Sequence, residues 1–330
     1  MAHMSSRYFN YVRSVVKFAR QIKIKLCGKK DKIFLNQICP QFCSQEASDL
    51  IKEFLQNDKP CMIARFGSVE MDCIDNYRER KKSVFKRYFR YINGDTDTLD
   101  WNKSIIQAMQ NNAGFFPIDN LNLNLFSEVM LESMRNLDVL GSWLEKENNF
   151  KNELLHVKTV RLSDLEPYFH LRPWSSVLRG KKVLVIHPFV DSIQTQYKKR
   201  IDLFRNLEIL PEFELITYKP VESFAGNHEF LKFDTWFEAL ETMKKEIEFI
   251  NFDIAIIGCG AYGFCLASFV KSIGKKSIHM GGATQILFGI KGKRWEREND
   301  LSPLFNEHWS RPLETEVPLN YKTIENGCYW

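Results

Sequence analysis

The sequence predicts an α/β fold in which a mostly parallel sheet carries helices on both faces. Three observations predict it. Short runs dominated by Val, Ile and Leu recur without polar alternation, as strands buried on both faces require. Segments of helical pattern separate those runs. Glycines end two of the runs immediately before a helical segment, where a strand must turn sharply.

The elements follow in order. Residues 44–56 open with a capping pattern, Ser-Gln-Glu-Ala, and read as a helix. Behind Pro60, residues 61–66 are a short apolar strand; Gly67-Ser68 breaks it and Val69-Glu70-Met71 opens a helix. Residues 98–112 read as a helix ended by Asn111-Asn112-Ala113-Gly114. Short strands are expected at 137–141 and 156–162. The second half repeats the pattern with strands at 182–188, 213–218, 252–258 and 276–280, and helices at 192–206, 235–249 and 264–273. Residues 300–330 have weak periodicity and read as a wrapping tail. The expected organisation is an N-terminal arm (1–30), one α/β domain (31–299) and the tail.

At 330 residues, 44% hydrophobic and 26% charged, the chain can bury a large core, which excludes a disordered or fibrous class. No run of about 18 apolar residues occurs, so no helical membrane span is expected. A secretory leader is not expected either, because no uninterrupted apolar core follows the basic start. Met1-Ala2-His3 reads as a tag scar, with the natural start at Met4. The eight cysteines show no C-x-x-C and are expected as reduced cytosolic thiols.

The net charge of +5 is uneven. Arg7, Arg13, Lys17, Arg20, Lys23, Lys25, Lys29 and Lys30 give residues 1–30 a charge of +8 with no acid, while the rest carries 38 bases against 41 acids. Apolar residues at 8, 11, 12, 15, 18, 19 and 22 fit a helical period among those bases. Residues 5–26 therefore read either as a basic amphipathic helix on an anionic membrane surface or as a helix packed on the body with a solvated face. No nucleic-acid motif follows, so a nucleic-acid partner is not expected.

Three loops carry candidate chemistry. Gly258-Cys259-Gly260-Ala261-Tyr262-Gly263 matches G-x-G-x-x-G between a buried strand and a helix, whose free N–H groups suit a phosphate. A dinucleotide would want an acid about 20 residues on, and Ser277-Ile278-His279-Met280-Gly281-Gly282 supplies none. A sugar nucleotide, or a tight packing turn without ligand, remains. The second loop holds Gly281, Gly282, Gln285, Lys291, Lys293, Arg294 and Trp295. Bases beside glycines suit a pyrophosphate, and an exposed basic loop is the alternative. Tyr262 and Trp295 are candidates to stack on a base or sugar, or for the core; His279 is a cleft candidate or a hydrogen-bonded strand end.

In the third, Arg65-Phe66-Gly67-Ser68-Val69-Glu70, Glu70 is either a capping carboxylate favoured by the helix dipole or a general base or metal ligand facing the cleft. Arg65 would pair with it or with a phosphate. Two weaker candidates remain. In His187-Pro188-Phe189-Val190-Asp191-Ser192, Asp191 is a second base candidate, Ser192 a phosphate ligand or helix cap, and His187 a cleft candidate. Asp95-Thr96-Asp97 matches a metal-binding D-x-D, but Asp97 or Thr98 as a helix cap explains it.

Residues 63–70, Ile-Ala-Arg-Phe-Gly-Ser-Val-Glu, resemble the Ala-Arg-Phe-Gly-Asp-Gly-Glu segment of bacterial glycosyltransferases with the GT-D fold. Residues 253–263 through 276–282 resemble the glycine-rich strand–helix–strand of the same fold, in the same order. The likeness spans roughly residues 55–295. It is nearest to the GT-D-like proteins associated with capsule or lipopolysaccharide synthesis. That resemblance implies a Rossmann-like sheet, a nucleoside-diphosphate sugar donor, a saccharide or lipid-linked acceptor, and work at the cytoplasmic face of a bacterial membrane. It also implies a divalent metal, Mn2+ or Mg2+, associated with an Asp-x-Glu pair. Here Ser68 stands where the Asp would be and Glu70 is kept. A serine hydroxyl is a poor ligand beside one carboxylate, so Glu70 is expected to act as base, with the cations of residues 291–294 on the leaving diphosphate. The runner-up readings are a nicotinamide-dependent oxidoreductase and a non-catalytic nucleotide-binding scaffold of a polysaccharide assembly.

Overall fold

The computed structural model describes residues 2–28, 37–224, 231–298 and 300–330. Lys29, Lys30 and the arm–domain boundary expected at residues 30–31 lie outside the described residues, as does the 299 end of the domain.

Seven strands form one sheet in the order β3-β2-β1-β7-β6-β4-β5. They are β1 (Cys61–Ala64), β2 (Val139–Ser142), β3 (Lys158–Arg161), β4 (Lys182–Ile186), β5 (Glu214–Tyr218), β6 (Ile254–Ile257) and β7 (Lys276–His279). Every pairing is parallel. The chain therefore adopts the expected Rossmann-like α/β architecture. Register aligns the apolar runs: Ile63 lies against both Val139 and Ile278, and Ile256 against both Ile278 and Val185.

Side chains alternate between two cores. Met62, Ala64, Leu140, Leu184 and Ile257 enter one; Cys61, Ile63, Val139, Val183 and Ile256 enter the other. Both sets are wholly buried, which explains the continuous apolar runs. The first core holds α3 (Ser68–Lys81), α6 (Asn120–Met134), α9 (Trp236–Glu248) and α10 (Tyr262–Ser272). The second holds α2 (Ser44–Gln56), α7 (Val190–Tyr197) and side chains of the C-terminal segment such as Trp309, Ile324 and Trp330.

The winding matters for function. The chain runs outward through β1, β2 and β3, crosses to β4, and returns inward through β6 to place β7 beside β1. The loops after β1, β6 and β7 therefore open together at the carboxyl ends of adjacent strands. In open parallel sheets that is where ligands bind.

Some elements differ from expectation. The helix expected over 192–206 is α7 followed by a separate short turn, α8 (Arg200–Leu203). The break seats Leu203 under the tail, where its carbonyl accepts from the Trp309 indole at 2.9 Å. The helix expected from residue 98 begins later, as α5 (Lys103–Asn111), capped by the Asn102 side chain. Neither Asp97 nor Thr98 caps it, because the segment is drawn toward the N-terminal helix α1 (Ala2–Cys27). There Arg20 bonds Asp97 at 2.9 Å and Arg13 bonds Asp100 at 2.7 Å. Two helices were not expected: α4 (Val84–Asn93), which packs on α1, and α6. No described helix is long and apolar enough to cross a membrane.

Candidate functional site

β1 delivers Arg65 and Phe66 into the turn before α3. Phe66 is fully buried and stacks on Phe264 of α10, with ring centroids 4.6 Å apart. That contact pins the first turn to the glycine-rich one. Gly67 is the cap residue of α3, and Glu70 lies in the helix's first turn. The Glu70 carboxylate folds back so closely over Gly67 that any side chain there would strike it. Glu70 sits where the helix dipole favours a carboxylate, and it also lines a pocket. Burial pushes its carboxyl above the usual range, opposed by its own backbone N–H and the Arg65 charge. Arg65 lies over the Trp143 ring at 4.6 Å and reaches toward Gly281, so it spans the first turn and the loop after β7.

At the glycine-rich turn, Gly258 and Gly260 line the same pocket. Gly258 admits the carbonyl of Gly281 and the hydroxyl of Thr284, so its smallness serves packing. Gly260 has φ +56°, a left-handed conformation that favours glycine, and only the Ala113 carbonyl lies near, at 3.5 Å. Its open face is turned to no packed side chain. Two expectations are corrected here. Gly263 lies against the His279 ring, giving close helix–strand packing rather than a phosphate seat. Tyr262 is a core residue, stacked on Trp236 at 4.9 Å with its hydroxyl 3.0 Å from Ser223.

The loop after β7 meets the C-terminal tail. Gly282 lets Tyr329 approach, and Trp295 packs edge-on against Tyr329 at 5.8 Å. Gln285 is fully buried and donates to the carbonyls of Ile290 (3.2 Å) and Tyr329 (3.1 Å), while its Oε1 has no partner among the described residues. Arg294 pairs with Glu325 and lies over Tyr329 at 4.9 Å. Lys293 is corrected: its ammonium sits 5.5 Å over Tyr321 and outside the pocket wall.

The loop after β4 is corrected as well. Asp191 is exposed, and neither it nor Ser192 lines the pocket. The N–H groups of Asp191 (2.8 Å) and Ser192 (3.2 Å) donate to the buried carboxylate of Glu316, as does the Ser192 hydroxyl. A side chain of the tail thus occupies the α7 N-terminus that a phosphate would need. His187 and His279 do line the pocket. Burial pushes both imidazoles down to about 3, with the Arg65 charge adding at His279, so both are neutral near pH 7. His187 Nδ1 accepts from the Phe189 N–H (3.0 Å), whereas His279 Nδ1 donates to the Ile257 carbonyl (3.1 Å). Their proton-bearing nitrogens therefore differ.

The result is one cavity of about 450 Å³ at the carboxyl ends of the central strands. Of the sequence candidates it gathers Arg65, Gly67, Ser68, Glu70, His187, Gly258, Gly260, His279, Gly281, Gly282, Gln285, Arg294 and Trp295. Sequence reasoning missed Trp143, Glu166, Glu325 and Tyr329, which stand on the same wall. No local motif marks Glu166 or Glu325, and the positions of all four follow from how distant segments pack.

Glu166 has a testable consequence. Burial pushes its carboxyl up to about 7, although it accepts a bond from the Tyr168 hydroxyl. The native state then holds a proton that the unfolded chain releases at its ordinary carboxylate pKa. Stability is full below that ordinary pKa and declines as pH rises toward the native value. Chemical unfolding at about pH 5 and about pH 8 should show this decline, and Glu166→Gln should shrink it by ~1–3 kcal/mol. An unchanged pH slope in the variant would refute the assignment.

Among the described residues no three His, Cys, Asp or Glu side chains converge, Arg65 acts on Glu70, and Glu325 is committed to Arg294. No protein-family model, curated protein or solved structure matches the chain.

Proposed function

We propose that the pocket binds a nucleoside-diphosphate sugar and transfers its glycosyl group to a hydroxyl of a saccharide or lipid-linked saccharide, in bacterial surface polysaccharide synthesis. One observation carries this reading. The Glu70 turn and the Gly258–Gly260 turn open into a single cavity that also holds two guanidinium groups, Arg65 and Arg294.

Each part has a role. The backbone at Gly260 and the two arginines receive the diphosphate, since guanidinium forks match phosphate oxygens. The unpaired Gln285 Oε1 is a buried acceptor for a donor hydroxyl. Glu70 takes the proton from the acceptor hydroxyl as its oxygen bonds to the anomeric carbon. The anomeric carbon–phosphate oxygen bond breaks, and the nucleoside diphosphate leaves against the arginine charges.

Thermal unfolding tests the binding half. UDP- or GDP-sugars should raise the melting temperature, and Arg294→Ala should weaken that binding by about tenfold or more, the loss of one charge-assisted contact. Stabilisation by NAD(H) and not by any nucleotide sugar would instead support the oxidoreductase. Nucleotide-sugar binding without turnover on any acceptor would support the scaffold.

A further inference from the structure

Helix α1 buries Val16 against the body and turns part of its basic side toward it as well. Three of its bases turn inward: Arg13 bonds Asp100, Arg20 bonds Asp97 and the Thr96 carbonyl (2.8 Å) and covers Tyr91, and Lys23 bonds Asn93. The Arg20 side chain is only 12% exposed. A second apolar row faces outward. Tyr11, Val15, Phe18 and Ile22, spaced to form one helical stripe, are 69%, 49%, 63% and 41% exposed, and Leu26 continues the row. A helix of a water-soluble domain normally does the opposite.

The helix packed against it repeats the pattern. α4 has no buried residue, and Phe85 and Phe89, one turn apart, are 87% and 68% exposed beside Val84. Scattered exposed apolar residues are ordinary, but two packed helices each presenting such a row are not.

Charge selects the occupant. Residues 1–30 carry eight bases and no acid. With Arg13 and Arg20 committed to the body, Lys17 and Lys25 on α1 and Lys86 on α4 stand exposed near the rows. A second copy would bring the same positive charges face to face, which disfavours a dimer through this surface. Exposed aromatic and aliphatic side chains flanked by lysines instead match an anionic lipid interface. We infer that α1 and α4 together form a docking surface for an anionic bilayer, with Phe18, Ile22, Phe85 and Phe89 entering the headgroup–acyl boundary and the lysines meeting the lipid charge. The contribution of α4 was not apparent in the sequence, where only residues 5–26 drew attention.

Sedimentation of the full chain with vesicles tests this. Vesicles of phosphatidylcholine mixed with phosphatidylglycerol should carry the protein down, and vesicles of phosphatidylcholine alone should bind about tenfold less. A Phe18→Glu, Phe85→Glu double variant should lose at least about tenfold in binding, and so should Lys17→Glu, Lys25→Glu. These side chains are exposed, so thermal unfolding of the variants should match the wild type. Equal binding by the Phe variant, indifference to lipid charge, or a wild-type dimer that the Phe variant splits while vesicles stay unbound would each overturn the proposal.

Discussion

Glu70→Gln is expected to slow glycosyl transfer by about 10²–10⁴-fold, the usual loss when a general base is removed. Nucleotide-sugar binding should survive within about threefold, because glutamine keeps the shape that packs over Gly67 and only the proton acceptor is lost. In the wild type the base must be ionised, and burial raises its carboxyl above the ordinary range. Turnover should therefore fall on acidification at a higher pH than for an exposed glutamate, and the variant should lose that acid limb. Gly67→Ala should mimic the loss while leaving the carboxyl chemically intact, since a methyl group there displaces Glu70. Wild-type rates in Glu70→Gln would remove the residue from the chemistry while leaving the pocket as a binding site.

The largest effect on stability is expected at Glu316. Its buried carboxylate accepts from two backbone N–H groups at the start of α7 and from the Ser192 hydroxyl. Bonds to a charged group contribute about 1.5–3 kcal/mol each, without adding fully. Glu316→Ala also strands the N–H groups of a helix end that the tail covers. A loss of ~2–4 kcal/mol is expected in denaturant unfolding, with about half of it recovered in Glu316→Gln, which keeps one acceptor oxygen. A change below about 0.5 kcal/mol, the range of neutral surface substitutions, would mean that the carboxylate is not holding α7 to the tail.

Both predictions turn on contacts whose partners differ in how visible they were. Glu70 and Gly67 are three residues apart, and their strand–glycine–helix setting was legible as a site. Glu316 reaches 125 positions back to Asp191, and nothing near either residue marks the pairing. The helices show the same divide. α9 was readable because Thr235 caps it and its apolar residues keep a helical period. α6 was not, because Asn120-Leu121-Asn122-Leu123-Asn124-Leu125 alternates with the period of a strand. Asp119 caps it all the same, and packing against α3 and α10 makes it helical. α4 was not read from the sequence although Val84, Phe85, Tyr88, Phe89 and Ile92 keep a helical period; in the fold it packs on α1 and buries none of its residues.

Local sequence was enough to specify the strands, their parallel arrangement and the two glycine turns. Strands buried on both faces must be continuously apolar, and a strand entering a helix at a sharp turn favours glycine. Where the segment 300–330 lies was a tertiary decision. It places Glu316 on the helix end offered by Ser192, Glu325 on Arg294, and Tyr329 against Gly282, so that Asp191 and Lys293 are left outside the cavity and Arg65, Glu70 and Gly260 within it. Carboxylates and guanidinium groups find partners by distance in the folded chain, and that distance is set by the packing of the whole core.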